Sequence, residues 1–217
     1  MRVGLEPLLA DPESLALAAT ALRTGAVVAI PTDTVYGLAA DPRQPKALER
    51  LFALKGRPSD VALPVLVDGR EQIAAVAEPL GGPAERLAGR YWPGPLTLVL
   101  PRRRSFTAAL GGPPSARGTV GLRWPDHPVV LALCRELGPM AVTSANRHNG
   151  PPASRAAAVA EAFAGEHELT VILDGGVCDG TPSSVVECLG PQPRCLRQGE
   201  IPWSDLEECA RDGPARG

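Results

Sequence analysis

The sequence predicts an α/β fold with flanking helices, because two apolar patterns alternate along the chain. Continuous apolar runs such as residues 26–30 are typical of buried strands, and segments of helical periodicity separate them. Several of these runs end in hydroxyl, amide or basic side chains, which is where α/β proteins bind their ligands. No internal repeat or composition shift interrupts the pattern, so we expect residues 1–210 to form a single domain and residues 211–217 a flexible tail.

Helices are predicted wherever apolar residues recur at helical spacing behind a start signal. Asp11 and Pro12 start the first helix, which ends near Gly25, because Pro at the first helical position loses no hydrogen bond. Asp126 is predicted to cap a later helix that runs through residue 137. The remaining predicted helices cover residues 45–55, 71–77, 84–91, 156–163 and 203–210.

Strands are predicted from short apolar runs bounded by turn residues. The run at residues 96–100 is flanked by prolines and apolar throughout, which suits a strand buried on both faces. The predicted strands cover residues 26–30, 63–67, 96–100, 119–122, 141–143, 171–174, 185–188 and 194–196. The 24 prolines and 23 glycines lie between these segments and therefore indicate turns rather than disorder.

Composition excludes several classes of protein. The net charge of −2 argues against a protein that binds nucleic acid through overall basicity, although a local basic groove remains compatible with it. Five scattered cysteines without paired spacing indicate reduced thiols rather than a disulfide framework or a zinc site. No segment has the roughly 20 apolar residues of a membrane span, so we expect a cytoplasmic protein without a membrane partner.

Familiar catalytic motifs are missing from the sequence. There is no phosphate-binding loop, dinucleotide-binding turn, nucleophile elbow or zinc-binding helix motif. The three histidines, at positions 127, 148 and 167, are far apart in unlike contexts, so no dedicated metal site is predicted. Any active site must therefore be assembled from polar clusters at the ends of strands and helices.

Several such clusters stand out, and each has an ordinary structural explanation as well as a functional one. Lys55 and Arg57 flank the end of a helix, where they could bind phosphates or simply offset the helix dipole. Ser144 and Asn146 follow an apolar strand, where they could bind a nucleotide or cap a turn. Arg123 follows another strand and could hold a carboxylate or form a surface ion pair.

The order of these clusters resembles a known family. The blocks PTDTVYGLAAD, KGRP with LPVLV, YWPGPLTLVL, GLRWPDHP, VTSAN with GPPA, and TPSSVVE are similar to those of the YrdC/TsaC family of L-threonylcarbamoyladenylate synthases. The similarity spans roughly residues 12 to 200. It implies a twisted, open, mixed sheet with flanking helices around a large concave cavity.

The resemblance also implies an activity and a site. Such enzymes make threonylcarbamoyl-AMP and pyrophosphate from L-threonine, bicarbonate and ATP, with Mg²⁺ expected on the triphosphate, and they supply downstream proteins that transfer the threonylcarbamoyl group to tRNA adenosine. Thr34, Arg123 and Ser183 would contact threonine. The residues implied for the nucleotide are Lys55, Arg57, Thr119, Ser144, Asn146 and Arg197, of which Lys55, Arg57, Ser144 and Asn146 would also be catalytic.

Two alternatives remain open from the sequence. A module that binds tRNA or double-stranded RNA could use Arg57, Arg102–Arg104, Arg117 and Arg123 on a concave surface. Alternatively, the chain could be a carbamoyl-adenylate enzyme of another pathway that starts from carbamoyl phosphate. Weak RNA binding is also compatible with the synthase.

Overall fold

A computed structural model describes residues 5–56, 60–148, 150–178 and 180–211. In these residues ten strands form one mixed sheet. The strands are β1 (Leu8–Leu9), β2 (Val27–Ile30), β3 (Gly37–Ala40), β4 (Val65–Leu66), β5 (Leu96–Pro101), β6 (Thr119–Arg123), β7 (Met140–Ser144), β8 (Leu169–Asp174), β9 (Ser184–Glu187) and β10 (Arg194–Arg197). The helices are α1 (Pro12–Arg23), α2 (Pro45–Lys55), α3 (Arg70–Val76), α4 (Gly82–Tyr91), α5 (Pro128–Leu137), α6 (Ala156–Ala162) and α7 (Trp203–Arg211).

The sheet mixes parallel and antiparallel pairs, as predicted. The strand order is β1-β8-β2-β3-β7-β4-β6-β5-β9-β10. The pairs β1–β8, β2–β8, β4–β6 and β5–β9 are parallel, and the other neighbours are antiparallel. This order places β3, β7, β4, β6, β5 and β9 side by side, although they are far apart in sequence.

Packing differs between the two halves of the sheet. In β2, Val27 and Ala29 join one core, whereas Val28 and Ile30 join a second core with α1 and α5 on the opposite face. Within the described part of the chain, this second core contains no residue of β5, β6 or β9. That half of the face therefore stays open, and it forms the floor of a cavity.

The start of α5 and the length of β4 differ from the prediction. Asp126 does not cap α5. His127 does, because Pro128 occupies the first helical position, and His127 Nδ1 accepts a hydrogen bond from Val129 N at 3.3 Å. Burial lowers the pKa of His127, which favours the neutral ring that can accept this bond. The predicted strand at residues 63–67 is shorter, since only Val65–Leu66 is a strand.

Two strands and the last residue of the final helix also differ from the prediction, and several other elements begin or end one or two residues away from their predicted bounds. Strands β1 and β3 were not predicted, and Arg211, which was assigned to the flexible tail, is the last residue of α7. Residues 212–217 lie outside the described residues, so their flexibility stays a prediction. In the described part of the chain, none of the helices combines the length and the apolar character needed to cross a bilayer.

Candidate active site

A cavity of about 870 Å³ lies over the open half of the sheet. Its size is within the range of sites for small molecules and cofactors. Seven of the nine predicted site residues line it, namely Thr34, Thr119, Arg123, Ser144, Asn146, Ser183 and Arg197. Lys55 lies behind two of them, and Arg57 falls outside the described residues. Side chains from widely separated parts of the sequence thus meet at one cavity.

Lys55 is buried beneath the loop that follows β7. Helix α2 ends at Gly56, which adopts the left-handed conformation that favours glycine. Lys55 is 3% exposed, and its Nζ donates to Ser144 O at 2.7 Å, Ser144 Oγ at 3.0 Å and Asn146 Oδ1 at 2.7 Å. An ammonium group has three hydrogens, which matches these three acceptors. Offsetting the helix dipole therefore does not account for Lys55, because its charge is directed into the protein.

Asn146 is oriented by the backbone on its other side. Its Nδ2 donates to Arg147 O at 2.8 Å and to Gly150 O at 2.6 Å, so its Oδ1 faces Lys55. Ala145 N donates to Tyr36 O at 2.7 Å, which joins this loop to the segment before β3. The amide and the hydroxyl at the cavity wall are therefore held in fixed positions.

Arg123 ends β6 and is an extensively bonded cation of the cavity wall. It is 6% exposed, and it donates through Nε to Gly94 O at 3.0 Å and through Nη1 to Thr34 Oγ1 at 2.8 Å. Its Nη2 donates to Asp33 Oδ1 at 2.7 Å, which forms an ion pair with a partly buried carboxylate. Each terminal nitrogen retains one further hydrogen, so the guanidinium can still bind a carboxylate.

Two residues of this cluster were missed from the sequence. Asp33 fixes Arg123, yet its Oδ2 is buried with no hydrogen-bond partner among the described residues. Thr32 closes the turn by donating from Oγ1 to Val35 O at 2.7 Å and by accepting from Thr34 N at 3.1 Å. Both lie in the PTDTVYGLAAD block, where attention to side-chain turn bonds and to charge pairing could have identified them.

Ser183 and Arg197 line the same cavity and are bonded to each other. Arg197 Nη2 donates to Ser183 O at 2.8 Å and to Ser183 Oγ at 3.3 Å, and Nε donates to the same carbonyl at 3.1 Å. Desolvation of the guanidinium, together with the nearby charge of Arg123, lowers the pKa of Arg197. Two guanidinium groups therefore face one cavity, and this arrangement favours an anionic ligand there.

Thr119 lies at the start of β6, where its Oγ1 donates to Ala116 O at 2.8 Å. That bond uses the hydroxyl hydrogen and leaves the oxygen lone pairs for a ligand donor.

Of the described residues that line the cavity, Glu187 alone has a carboxylate, and Arg194 Nη2 donates to it at 2.8 Å. Among the described residues, no three side chains of His, Cys, Asp or Glu lie close enough together to bind a metal ion.

The segment around Gly199 supports the wall that carries Ser183. Ser184 Oγ accepts from Gly199 N at 3.0 Å and from Ile201 N at 3.1 Å, and it donates to Ile201 O at 2.7 Å. A Cβ at Gly199 would lie 2.2 Å from Pro182 O and 2.4 Å from Ser183 C. Only glycine fits at this close approach of two backbone segments.

We expect Gly199→Ala to destabilise the protein by about 1–3 kcal/mol, because the added methyl group must displace the backbone of residues 182–183. Chemical denaturation would measure the change. Gly190→Ala is the matched control, since Gly190 lies in the turn between β9 and β10 and a Cβ added there would meet nothing within 4 Å. Equal stability of the two variants would contradict the expected overlap.

Comparison with known proteins identifies relatives over most of the chain. The Sua5/YciO/YrdC family model, described as telomere recombination, matches residues 20–199. Threonylcarbamoyl-AMP synthase of Pyrococcus abyssi is 40% identical over 195 residues, which are 88% of this chain and 56% of that protein. Threonylcarbamoyl-AMP synthase of Pseudomonas putida F1 is 37% identical over 184 residues, which are 85% of this chain and 93% of that protein.

A solved structure shows the same architecture. The crystal structure of Pyrococcus abyssi Sua5 complexed with L-threonine has a TM-score of 0.81 and 37% identity, and the match covers 90% of this chain and 56% of that one. The chain therefore spans about half the length of the archaeal relative, at 56%, and most of the Pseudomonas relative, at 93%. The predicted twisted mixed sheet with flanking helices is confirmed by this likeness.

Proposed function

Because this chain belongs to the Sua5/YciO/YrdC family, we propose that it is an L-threonylcarbamoyladenylate synthase. It converts L-threonine, bicarbonate and ATP to threonylcarbamoyl-AMP and pyrophosphate, and its product supplies downstream proteins that form N6-threonylcarbamoyladenosine in tRNA. The observation that carries the proposal is the meeting of Thr34, Arg123, Ser144 and Ser183 at one cavity. Hydroxyl groups and a guanidinium group are the donors that an amino acid beside a nucleotide requires.

The reaction needs a cavity that limits access of water. The threonine ammonium loses a proton and its amine attacks the carbon of bicarbonate, which gives a carbamate and releases water. A carbamate oxygen then attacks the α-phosphorus of ATP, and the bond to pyrophosphate breaks. Because the carbamate is unstable, holding it next to the α-phosphate contributes more than acid–base chemistry does. No covalent intermediate with the protein is required.

Two sets of cavity residues have proposed roles. Arg123 holds the threonine carboxylate through its two remaining hydrogens, and Thr34 and Ser183 hydrogen-bond the polar groups of threonine. Ser144, Asn146, Thr119 and Arg197 are proposed to bind ATP, and the family resemblance adds Arg57 to this set. Lys55 holds Ser144 and Asn146 in place, so charge that develops on the phosphoryl oxygens meets a Ser144 hydroxyl group that is already oriented.

Mg²⁺ is proposed to enter with the triphosphate rather than to occupy a protein site. The carboxylate of Glu187 is engaged by Arg194, so the phosphate oxygens and water are the natural ligands for this cation. The ion would neutralise negative charge on the phosphates during transfer. ATP and bicarbonate are substrates in this proposal, and the protein acts in the cytoplasm, where tRNA is modified.

Pyrophosphate release tests the proposed function. With ATP, Mg²⁺, bicarbonate and L-threonine present, we expect release that falls to background when threonine or bicarbonate is omitted, because the carbamate cannot then form. A coupled pyrophosphate assay, with mass-spectrometric detection of threonylcarbamoyl-AMP, measures both products. Release that does not depend on threonine would contradict the synthase. Turnover of carbamoyl phosphate in place of threonine and bicarbonate would instead support the enzyme of another pathway.

The RNA-binding alternative receives less support from the geometry. Arg123, one of its proposed contacts, is 6% exposed and already bound to three protein groups. Arg102 Nη1 also donates to the protein, at 3.0 Å from Ala108 O. A guanidinium buried in the cavity wall is open to a small anion that enters the cavity but not to the phosphate backbone of a duplex. Weak binding of tRNA or double-stranded RNA stays a prediction, which the salt dependence of binding would test.

A further inference from the structure

Thr97 is a buried cavity residue to which the proposed function assigns no role. It lies on β5, lines the cavity and is 5% exposed. Its Oγ1 is 2.9 Å from Ser183 Oγ, and Ser183 is 6% exposed. This contact joins two hydroxyl groups that are distant in sequence but adjacent at the cavity floor.

The neighbouring strands fix the orientation of Thr97. Strand β5 pairs in parallel with β9 so that Thr97 lies opposite Val185, and in antiparallel with β6 so that Val99 lies opposite Gly121. A Cβ on Gly121 would lie 3.6 Å from Thr97 Cγ2. The methyl group of Thr97 therefore faces Gly121, and the hydroxyl group of Thr97 faces Ser183.

The hydrogen-bond capacity of Ser183 gives this contact a consequence. A hydroxyl group has one hydrogen and two acceptor lone pairs, whereas a guanidinium only donates. Arg197 Nη2, at 3.3 Å, therefore occupies one lone pair of Ser183 Oγ, and Thr97 engages either the second lone pair or the hydrogen. In each case Ser183 retains one hydrogen-bonding position for a ligand, and Thr97 determines where that position points.

We propose that Thr97 is a specificity-determining residue for the hydroxyl group of the threonine substrate, acting as a positioning residue through Ser183. The inference rests on the proposed synthase function and deepens it. Arg123 matches the charge of the substrate carboxylate, whereas a neutral pair of hydroxyl groups can both donate and accept and so matches a neutral hydroxyl. A buried site that hydrogen-bonds a substrate hydroxyl rejects analogues that lack it, because its own polar groups are then left unpaired.

The test compares L-threonine with L-α-aminobutyrate, which lacks the hydroxyl group, in steady-state pyrophosphate release. We expect Thr97→Val to raise KM for threonine about three- to tenfold, the range for loss of one neutral hydrogen bond. KM for ATP should not change. The preference for threonine over α-aminobutyrate, as a ratio of kcat/KM values, should fall by a similar factor, and Thr97→Ser should retain it.

Two further comparisons separate specificity from stability. Thr170→Val makes the same change at an exposed position of β8, where Thr170 Oγ1 donates to Val27 O, and it should leave both ratios unchanged. If Thr97→Val does not fold, Thr97→Ser is compared with Thr97→Ala. Both lack the methyl group of threonine and differ only in the hydroxyl group, so the comparison measures the effect of the hydroxyl alone. Equal losses for threonine and α-aminobutyrate, or no loss at all, would overturn the role of Thr97. Lack of threonine-dependent release in the unchanged protein would instead overturn the proposed function itself.

Discussion

Arg123→Met is expected to raise KM for threonine by about 100-fold or more, because it removes the proposed carboxylate ligand and the donor that orients Thr34. It is also expected to lower the free energy of unfolding by about 2–4 kcal/mol, since the partly buried Asp33, whose Oδ2 is buried, is left as an unpaired carboxylate. Initial rates at varied threonine and a urea titration would measure the two effects separately.

A second substitution distinguishes the two effects of that change. In the double variant Arg123→Met with Asp33→Asn, the unpaired charge is gone, so we expect part of the lost stability to return. Threonine KM should stay as high as in Arg123→Met, because the guanidinium is still missing. If the double variant recovered threonine use, then Arg123 would serve only to neutralise Asp33, and the carboxylate assignment would be wrong.

Helices were easier to predict than strands, for a reason that the structure makes clear. Helix α2 has the predicted bounds, Pro45–Lys55, because Pro begins it and Gly56 ends it. Strand β3 was missed because GLAA is short, contains Gly and follows a polar block that indicates a loop. Its two neighbours, β2 and β7, supply its hydrogen bonds, and such tertiary pairing leaves no local signal in the sequence.

The sequence indicated which polar side chains belong to the candidate site, but not which of them contact each other. The spacing around Lys55 and Asn146 was compatible with ordinary helix and turn capping, and only the fold brings these two residues, 91 positions apart in the chain, into a hydrogen bond. Thr97 and Asp33 were missed for the opposite reason. Each has an ordinary local context, and its role depends on a partner that the sheet order brings close, namely Ser183 and Arg123.

The hydrogen bonds of Lys55 change how its contribution to the reaction should be tested. A lysine that stabilises a phosphoryl group directly would direct at least one N–H toward the cavity. Lys55 Nζ instead has three protein acceptors within 3.0 Å, on Ser144 and Asn146. We therefore expect its effect on catalysis to pass through the position of those two residues, which line the cavity, rather than through contact with ATP.

Lys55→Met should lower kcat by about 10²–10³-fold and raise KM for ATP, because two or more hydrogen bonds from a charged donor are lost, each worth about 1.5–3 kcal/mol. KM for threonine should change little, since the Arg123 cluster is not touched. Lys46→Met, an exposed change at the start of the same helix, is the control and should behave like the unchanged protein. Lys55→Arg should not restore activity, because a planar guanidinium cannot donate to the same three acceptors. An equal rise in KM for threonine and ATP would show instead that Lys55 supports the whole cavity rather than its nucleotide side.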